Sequence, residues 1–361
     1  MSFSDSAPQA SGKLERASFS GNAREYFGIW IVNVLLTIIT LGIYSAWAKV
    51  RRNRYFYGNT VIADRAFEYH ATGKQIFIGR LIVVGFFIVT NILTTIFPPF
   101  GLVVFLIILV ALPWLIQRSL RFSARVTSYR NVRFDFTGST GGAFVSVLLG
   151  SMVASISFGI LAPLASRWVW RYVFNNLHYG DRPFVTDPKI KSLYGVWILP
   201  AALIVVGTIL IVGIGFAAAS ATQAMSNPDL AEDMDAFAAS FSAFHWGILF
   251  VFVAYGLAGL LYRIGVRNVV FSATTLDAKH QLVSDAPRFQ YAWIAISNVI
   301  VTVLTLSLMR PWAAVRMARF MAIHTGVIVV GDLGEVLSSM EASGSAVSAE
   351  YLDLEGFDFG F

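Results

Sequence analysis

The sequence predicts a polytopic α-helical membrane protein: three internal repeats with broken, re-entrant apolar segments, two membrane-spanning hairpins and short cytoplasmic β-strand elements. Three observations predict it. Of 361 residues, 56% are hydrophobic and 13% charged, far on the membrane side of a soluble domain with roughly 25% charged residues. Seven apolar stretches reach or approach the about 20 residues that a spanning helix needs. One sequence unit recurs along the chain, and self-similarity at fixed offsets marks repeated architecture.

The elements follow in chain order. Residues 1–17 are polar and read as a flexible N-terminal tail. The first repeat with its hairpin covers 18–117, the second 118–262, the third 263–331, and an acidic tail runs over 332–361. The apolar stretches are 28–47, 76–97, 100–117, 143–165, 193–219, 244–262 and 291–309. Lys13, Arg16 and Arg24 precede the first, and Ala46-Trp47-Ala48 offers a signal-peptidase pattern. The same unit recurs near the C-terminus, so the first stretch reads as an uncleaved membrane segment. Pro98-Pro99 separates the second stretch from the third and makes them a tight hairpin.

A shift of 265 residues superposes Asn33 on Asn298, Trp47 on Trp312, Arg51 on Arg316, Arg54 on Arg319 and Thr60 on Thr325. A shift of 117 superposes Gly42 on Gly159, Arg54 on Arg171, Tyr55 on Tyr172 and Asn59 on Asn176. Each copy is an apolar stretch, a break, an Arg-bearing helical turn and a strand-like stretch. The strand-like stretches, such as Arg133-Phe-Asp-Phe136, alternate with period two, which favours half-buried strands in a small antiparallel layer on the membrane surface.

Charge sets the expected topology, because Lys and Arg in short loops mark the cytoplasmic side. The stretches 49–75, 118–142, 166–192 and 263–290 are all basic, whereas 220–243 holds no Lys or Arg but has Asp229, Glu232, Asp233 and Asp235. Seven simple crossings cannot put every basic stretch on one side. Repeated segments that enter and return at Gly42, Gly159 and Pro311 can, with both termini cytoplasmic.

Arg54, Arg171 and Arg319, with Arg51 and Arg316, are the candidate site residues: a basic ring at the mouth of a cavity, or anchors on lipid phosphate whose stems lie along apolar surface. Trp47, Trp312, Tyr55 and Tyr172 read as interfacial belt aromatics. Asn33, Asn298 and Asn91 lie inside apolar stretches, where an amide needs a partner, so interhelical hydrogen bonding is expected. The 5 histidines form no HExxH pair, and with no cysteine no thiolate site exists. No metal, cofactor or catalytic constellation is expected, so the chain reads as a non-enzyme. The net charge of +6 is spread beside apolar stretches, which points to anionic lipid headgroups as partners rather than nucleic acid. No protein partner can be named.

The run Tyr26-Phe27-Gly28-Ile-Trp30 through Asn33, then Thr40-Leu41-Gly42-Ile-Tyr44 and Trp47, then Arg51 to Tyr55 and Asn59-Thr60, resembles the YjgN-like family of bacterial inner-membrane proteins. Arg130-Asn131-Val-x-Phe134-x-Phe136-x-Gly138 and the aromatic acidic ending carry the same resemblance. It implies a multi-pass inner-membrane protein and supplies no activity. The expected function is a transporter or channel-like protein for a small solute; the alternative is a non-catalytic membrane scaffold or lipid-organising protein.

Overall fold

The computed structural model describes residues 12–225, 233–331 and Ser338. The acidic ending, most of the N-terminal tail and the centre of the acidic connection 220–243 lie outside the described residues.

Helices come in pairs separated by short β-hairpins. The first pair is α1 (Ala23–Ile39) and α2 (Ser45–Gly58), followed by β3 (Thr60–Ile62) and β4 (Arg65–Tyr69). The second is α3 (Gly73–Ile96) and α4 (Phe100–Arg125), followed by β5 (Thr127–Tyr129) and β6 (Val132–Phe136). In the third, α5 (Thr140–Ala143) runs through a π-helical turn at Phe144–Leu149 into α6 (Gly150–Ile156), and α7 (Ala162–Asn175) returns to β7 (Leu177–Tyr179) and β8 (Arg182–Thr186). The fourth is α8 (Ile190–Met225) and α9 (Asp233–Ser272), followed by β9 (Thr274–Leu276) and β10 (His280–Ser284). The last, α10 (Arg288–Leu304) and α11 (Arg310–Ile323), leads into β11 (Thr325–Val329). The chain opens with β1 (Lys13–Arg16) and β2 (Ser18–Phe19).

Among the described residues all strands belong to one antiparallel sheet of eleven, in the order β1-β11-β10-β9-β8-β7-β6-β5-β4-β3-β2. The two ends of that order, β1 and β2, are consecutive in the chain with only Ala17 between them. One extended stretch therefore pairs with β11 through Lys13–Arg16 and with β3 through Ser18 and Phe19, closing the sheet into a ring. The Ala17 N–H donates to the Thr325 carbonyl at 2.8 Å and the Ser20 N–H to that of Asn59 at 3.0 Å, so both ladders continue through the junction. Closure removes the unpaired edges that an open sheet presents. Residues 13–17, expected as flexible tail, are the strand that performs it.

Two-residue turns with positive φ at both positions suit tight hairpins, because their twist matches that of the strands. Ala63 (φ 44) and Asp64 (φ 59) supply one, and Arg130 (φ 49) and Asn131 (φ 63) another. Neighbouring hairpins are tied to each other at these turns. The Tyr129 hydroxyl donates to the Ile62 carbonyl at 2.6 Å, and Arg130 Nη2 to that of Ala63 at 2.8 Å. The Tyr179 hydroxyl donates to the Tyr129 carbonyl at 2.9 Å, and Arg182 pairs with Asp277 at 2.8 Å. The largest core cluster joins these strands to the helix ends, through Tyr129, Val132, Phe174, Tyr179, Phe184, Leu193, Val196, Val266 and Val270.

The polytopic α-helical class, with strands only as short accessory elements, is thereby corrected. The organising element is the closed sheet, not a helical bundle with β decoration. Among the described residues only three helices are long and apolar enough to cross a membrane: Gly73–Ile96, Phe100–Arg125 and Ile190–Ala217. The sequence misleads because each strand holds three to five residues, or two in β2, and each short hairpin is set between much longer helices. Only four of the ten ladders lie within a hairpin; three join one hairpin to the next, as in Phe67↔Tyr129, Phe134↔Tyr179 and Phe184↔Leu276. No local pattern announces such pairing.

The apolar stretch 28–47 spans parts of two helices, broken where Leu41 (φ 51) and Gly42 (φ 92) take left-handed conformations. Phe158 (φ 51) with Gly159 (φ 85), and Leu306 (φ 48) with Ser307 (φ 72), break 143–165 and 291–309 in the same way. Leu41, Phe158 and Leu306 are 94%, 96% and 88% exposed, so an apolar side chain sits at the tip of each break.

Candidate functional site

The recurring geometry of the molecule lies where the returning helices meet the ring. Six residues before the first strand residue after α2, α4, α7, α9 and α11 stand Arg54, Arg121, Arg171, Asn268 and Arg319. Arg54 Nη2 donates to the Ala71 carbonyl at 3.3 Å, Arg319 Nη2 to that of Gly21 at 3.2 Å, and Asn268 Nδ2 to that of Ala286 at 2.8 Å. Each accepting residue immediately precedes the N-cap of the next helix, Thr72, Asn22 or Pro287. Arg121 Nε donates to the Phe136 carbonyl at 3.2 Å, and Arg171 faces Asp187 at 3.6 Å. The side chain at this position thus clamps the exit of the hairpin that follows it, or, for Arg319, the exit of β2. A charge-assisted bond is stronger than a neutral one, which suits a single side chain holding a chain crossing.

Arg51 and Arg316 do something different. Arg51 Nη1 donates to Asn33 Oδ1 at 3.3 Å, and Arg316 Nη1 to Asn298 Oδ1 at 3.1 Å and Ser297 Oγ at 2.7 Å. Asn298 Nδ2 completes its own set on the Ala313 carbonyl at 3.0 Å. Asn33 and Asn298 are buried at 7% and 9% exposure, so both amides find partners across a helix pair. The middle pair has Gly150 at the matching place, where an added Cβ would touch Ala165 at 3.7 Å; close backbone approach replaces the polar clip. Asn91 is exposed on α3 and joins neither clip.

The four aromatics separate into two kinds. Tyr55 and Tyr172 are buried, at 8% and 6% exposure. The Tyr55 hydroxyl donates to the Asn22 carbonyl and accepts from the Asn22 N–H, both at 2.9 Å, at the cap of α1. The Tyr172 hydroxyl donates to the carbonyl of Ser139, the cap of α5, at 2.8 Å. Burial raises the pKa of both phenols and keeps them neutral. Trp47 is partly exposed and stacks between Tyr44 and Phe77, while the Trp312 ring centroid lies 5.1 Å from Arg316 Cζ.

Sequence reasoning missed Arg121 and Asn268. Their signal is the residue six places on: Thr127 and Thr274, like Thr60 and Thr325, each return a hydroxyl bond to the carbonyl four residues back. It also missed a cavity of about 450 Å³ between the sheet and the ends of α2, α4 and α7, lined by Phe56, Thr60, Phe67, Leu120, Phe134 and Leu177 among others, with no charged residue in its wall.

Long apolar helices that leave most of their surface uncovered, rooted in a closed β ring, mark a membrane protein. The chain belongs to the family of bacterial proteins of unknown function designated DUF898, whose model matches residues 15–354. It is similar to the inner membrane protein YjgN of Salmonella typhimurium strain LT2, 26% identical over 360 residues that cover 87% of this chain and 88% of that one. The inner membrane protein YjgN of Escherichia coli O157:H7 is 31% identical over 211 residues, 49% of this chain and 52% of the relative. That of Escherichia coli strain K12 is 38% identical over 150 residues, 41% and 38% of the two chains. No solved structure matches.

Proposed function

We propose that the chain is a multi-pass protein of the bacterial inner membrane that binds and organises lipid without catalysing a reaction. In this reading one unit is repeated along the chain, both termini lie in the cytoplasm, and the partners are membrane lipids with anionic headgroups rather than nucleic acid. The observation that carries it is the uncharged cavity of about 450 Å³ at the junction of ring and helices. Such an open, apolar hollow suits an apolar occupant, and in this reading acyl chains surround the helices next to it. The basic stretches support the orientation, since all of them sit in hairpins and helix ends on the ring side. The names of the relatives support the compartment.

A second reading, a conduit for a small solute, is favoured by closure: α11 packs on α1, so the helices form a ring as the strands do. It is the weaker reading because Arg54 and Arg171, two members of the expected basic ring, are engaged at the exits of the hairpins that follow them. The test compares the intact chain with Phe134→Trp, which fills the cavity. Lipid retained through purification is quantified by mass spectrometry, and solute flux is measured in liposomes. Lipid retention that falls in the variant, with no flux in either protein, supports lipid handling. Flux that the intact chain supports and the variant loses contradicts it.

A further inference from the structure

A second cavity, of about 490 Å³, opens where α1 packs on α11, lined by Asn22, Ala23, Trp312, Arg316, Arg319 and Ile323, with Val315 and Phe320 behind them. Its electrostatics differ from those of the apolar cavity. Two guanidinium groups line it and no carboxylate does. The nearest acid on α1, Glu25, accepts from the Tyr55 hydroxyl at 3.2 Å and is not part of the wall.

Neither arginine is used up by the fold. Arg316 commits Nη1 to Ser297 and Asn298, and Arg319 commits Nη2 to the Gly21 carbonyl. Among the described residues the other nitrogens of both guanidinium groups have no protein hydrogen-bond partner. The two stand at i and i+3 on α11, so they share a face, and like charges at that spacing destabilise a helix. Arg316 is held at both ends, by the Asn298 clip and by the Trp312 ring beneath it. Two planar guanidinium forks lining one acid-free wall match an anion with several oxygens, and phosphate accepts such forks in bidentate fashion.

We infer that this cavity is a phosphate-binding site, taking the headgroup phosphate of an anionic lipid or a soluble phosphate. For the lipid source the inference rests on the lipid-handling reading; for the soluble source it stands without it. Arg316 and Arg319 bind the phosphate oxygens, and Ile323 and Val315 face whatever the phosphate carries.

The test titrates the full chain, purified in a zwitterionic detergent, with dihexanoyl phosphatidylglycerol and separately with inorganic phosphate, read by calorimetry. Saturable binding is expected, weakened roughly tenfold or more by Arg319→Gln, since a bond to a charged group is lost. Ile323→Glu leaves both arginine contacts within the fold intact and puts a carboxylate into the wall. It is expected to weaken binding at least as much, with an unchanged melting temperature. Arg316→Lys keeps the charge but loses the fork, so an intermediate loss is expected. Phosphate binding without lipid binding upholds the site and contradicts the lipid reading. Binding of neither probe, or binding by Ile323→Glu and Arg319→Gln as tight as in the parent chain, overturns the inference.

Discussion

At the scale of single residues, the polar groups inside the helix pairs are there to be satisfied by one another. Asn298 commits its amide N–H to the Ala313 carbonyl and its oxygen to Arg316, so removing it takes the side-chain donor from a buried carbonyl and one of two hydrogen bonds from Arg316 Nη1. Asn298→Leu is expected to cost about 1–3 kcal/mol, the desolvation penalty of an unsatisfied group, read as a lower melting temperature in detergent. Asn91→Leu on the exposed face of α3 is expected to leave it unchanged. Titration follows the same logic. Burial lowers the pKa of His280, whose Nδ1 accepts from the Val330 N–H at 3.2 Å and so needs the neutral ring. The unfolded chain, with an ordinary histidine near 6.5, takes up protons before the folded one does, so this contribution is whole above about pH 6.5 and is lost as pH falls. Asp285, held below its ordinary range by its hydrogen bonds from Arg16, gives the same sign in a more acidic window. Melting temperature is therefore expected to fall between pH 7 and pH 5, and less steeply in His280→Gln.

At the scale of elements, the starts and stops of the helices are set by close packing as much as by propensity. Gly73 begins α3 directly against the Trp47 ring, where an added Cβ would overlap it. Gly73→Ala is expected to destabilise by about 1–3 kcal/mol through overpacking, and the double variant Trp47→Leu with Gly73→Ala is expected to recover part of that loss. Equal melting temperatures for Gly73→Ala and the parent chain would refute this account of the junction. This is also the scale at which the sequence was most and least legible. Gly42, Gly159 and the Arg-bearing turns could be read because they recur at fixed offsets, and Asn33 with Asn298 could be read as amides in need of partners. The clamp positions Arg121 and Asn268 were harder to read, because the Thr six places on from each opens a strand only three residues long. Tyr55 and Tyr172 looked like interfacial aromatics, yet their hydroxyls hold helix caps; nothing in a tyrosine's sequence context separates the two uses.

At the scale of the whole molecule, the sheet explains why a chain so apolar has a fixed shape. Its long helices α3 and α4 touch sparingly and are only 17% buried in their most apolar windows. The helices are held instead at their roots, by a ring in which each hairpin bonds to the next and the N-terminal strand bridges the last gap. The membrane character was plain from composition, but the ring was not, because its closure joins residue 13 to residue 329. That closure is the claim on which the rest depends, and the chain has no cysteine of its own to confuse its test. Cysteine pairs at Leu14 with Ile328 and at Ser18 with Val61 sit opposite each other on the two sides of the closing strand. Oxidation in isolated membranes, read as an intramolecular crosslink after cleavage at a protease site inserted between the pair, is expected to join both. A chain in which Ser18 and Val61 crosslink while Leu14 and Ile328 do not has an open sheet, and would contradict the ring.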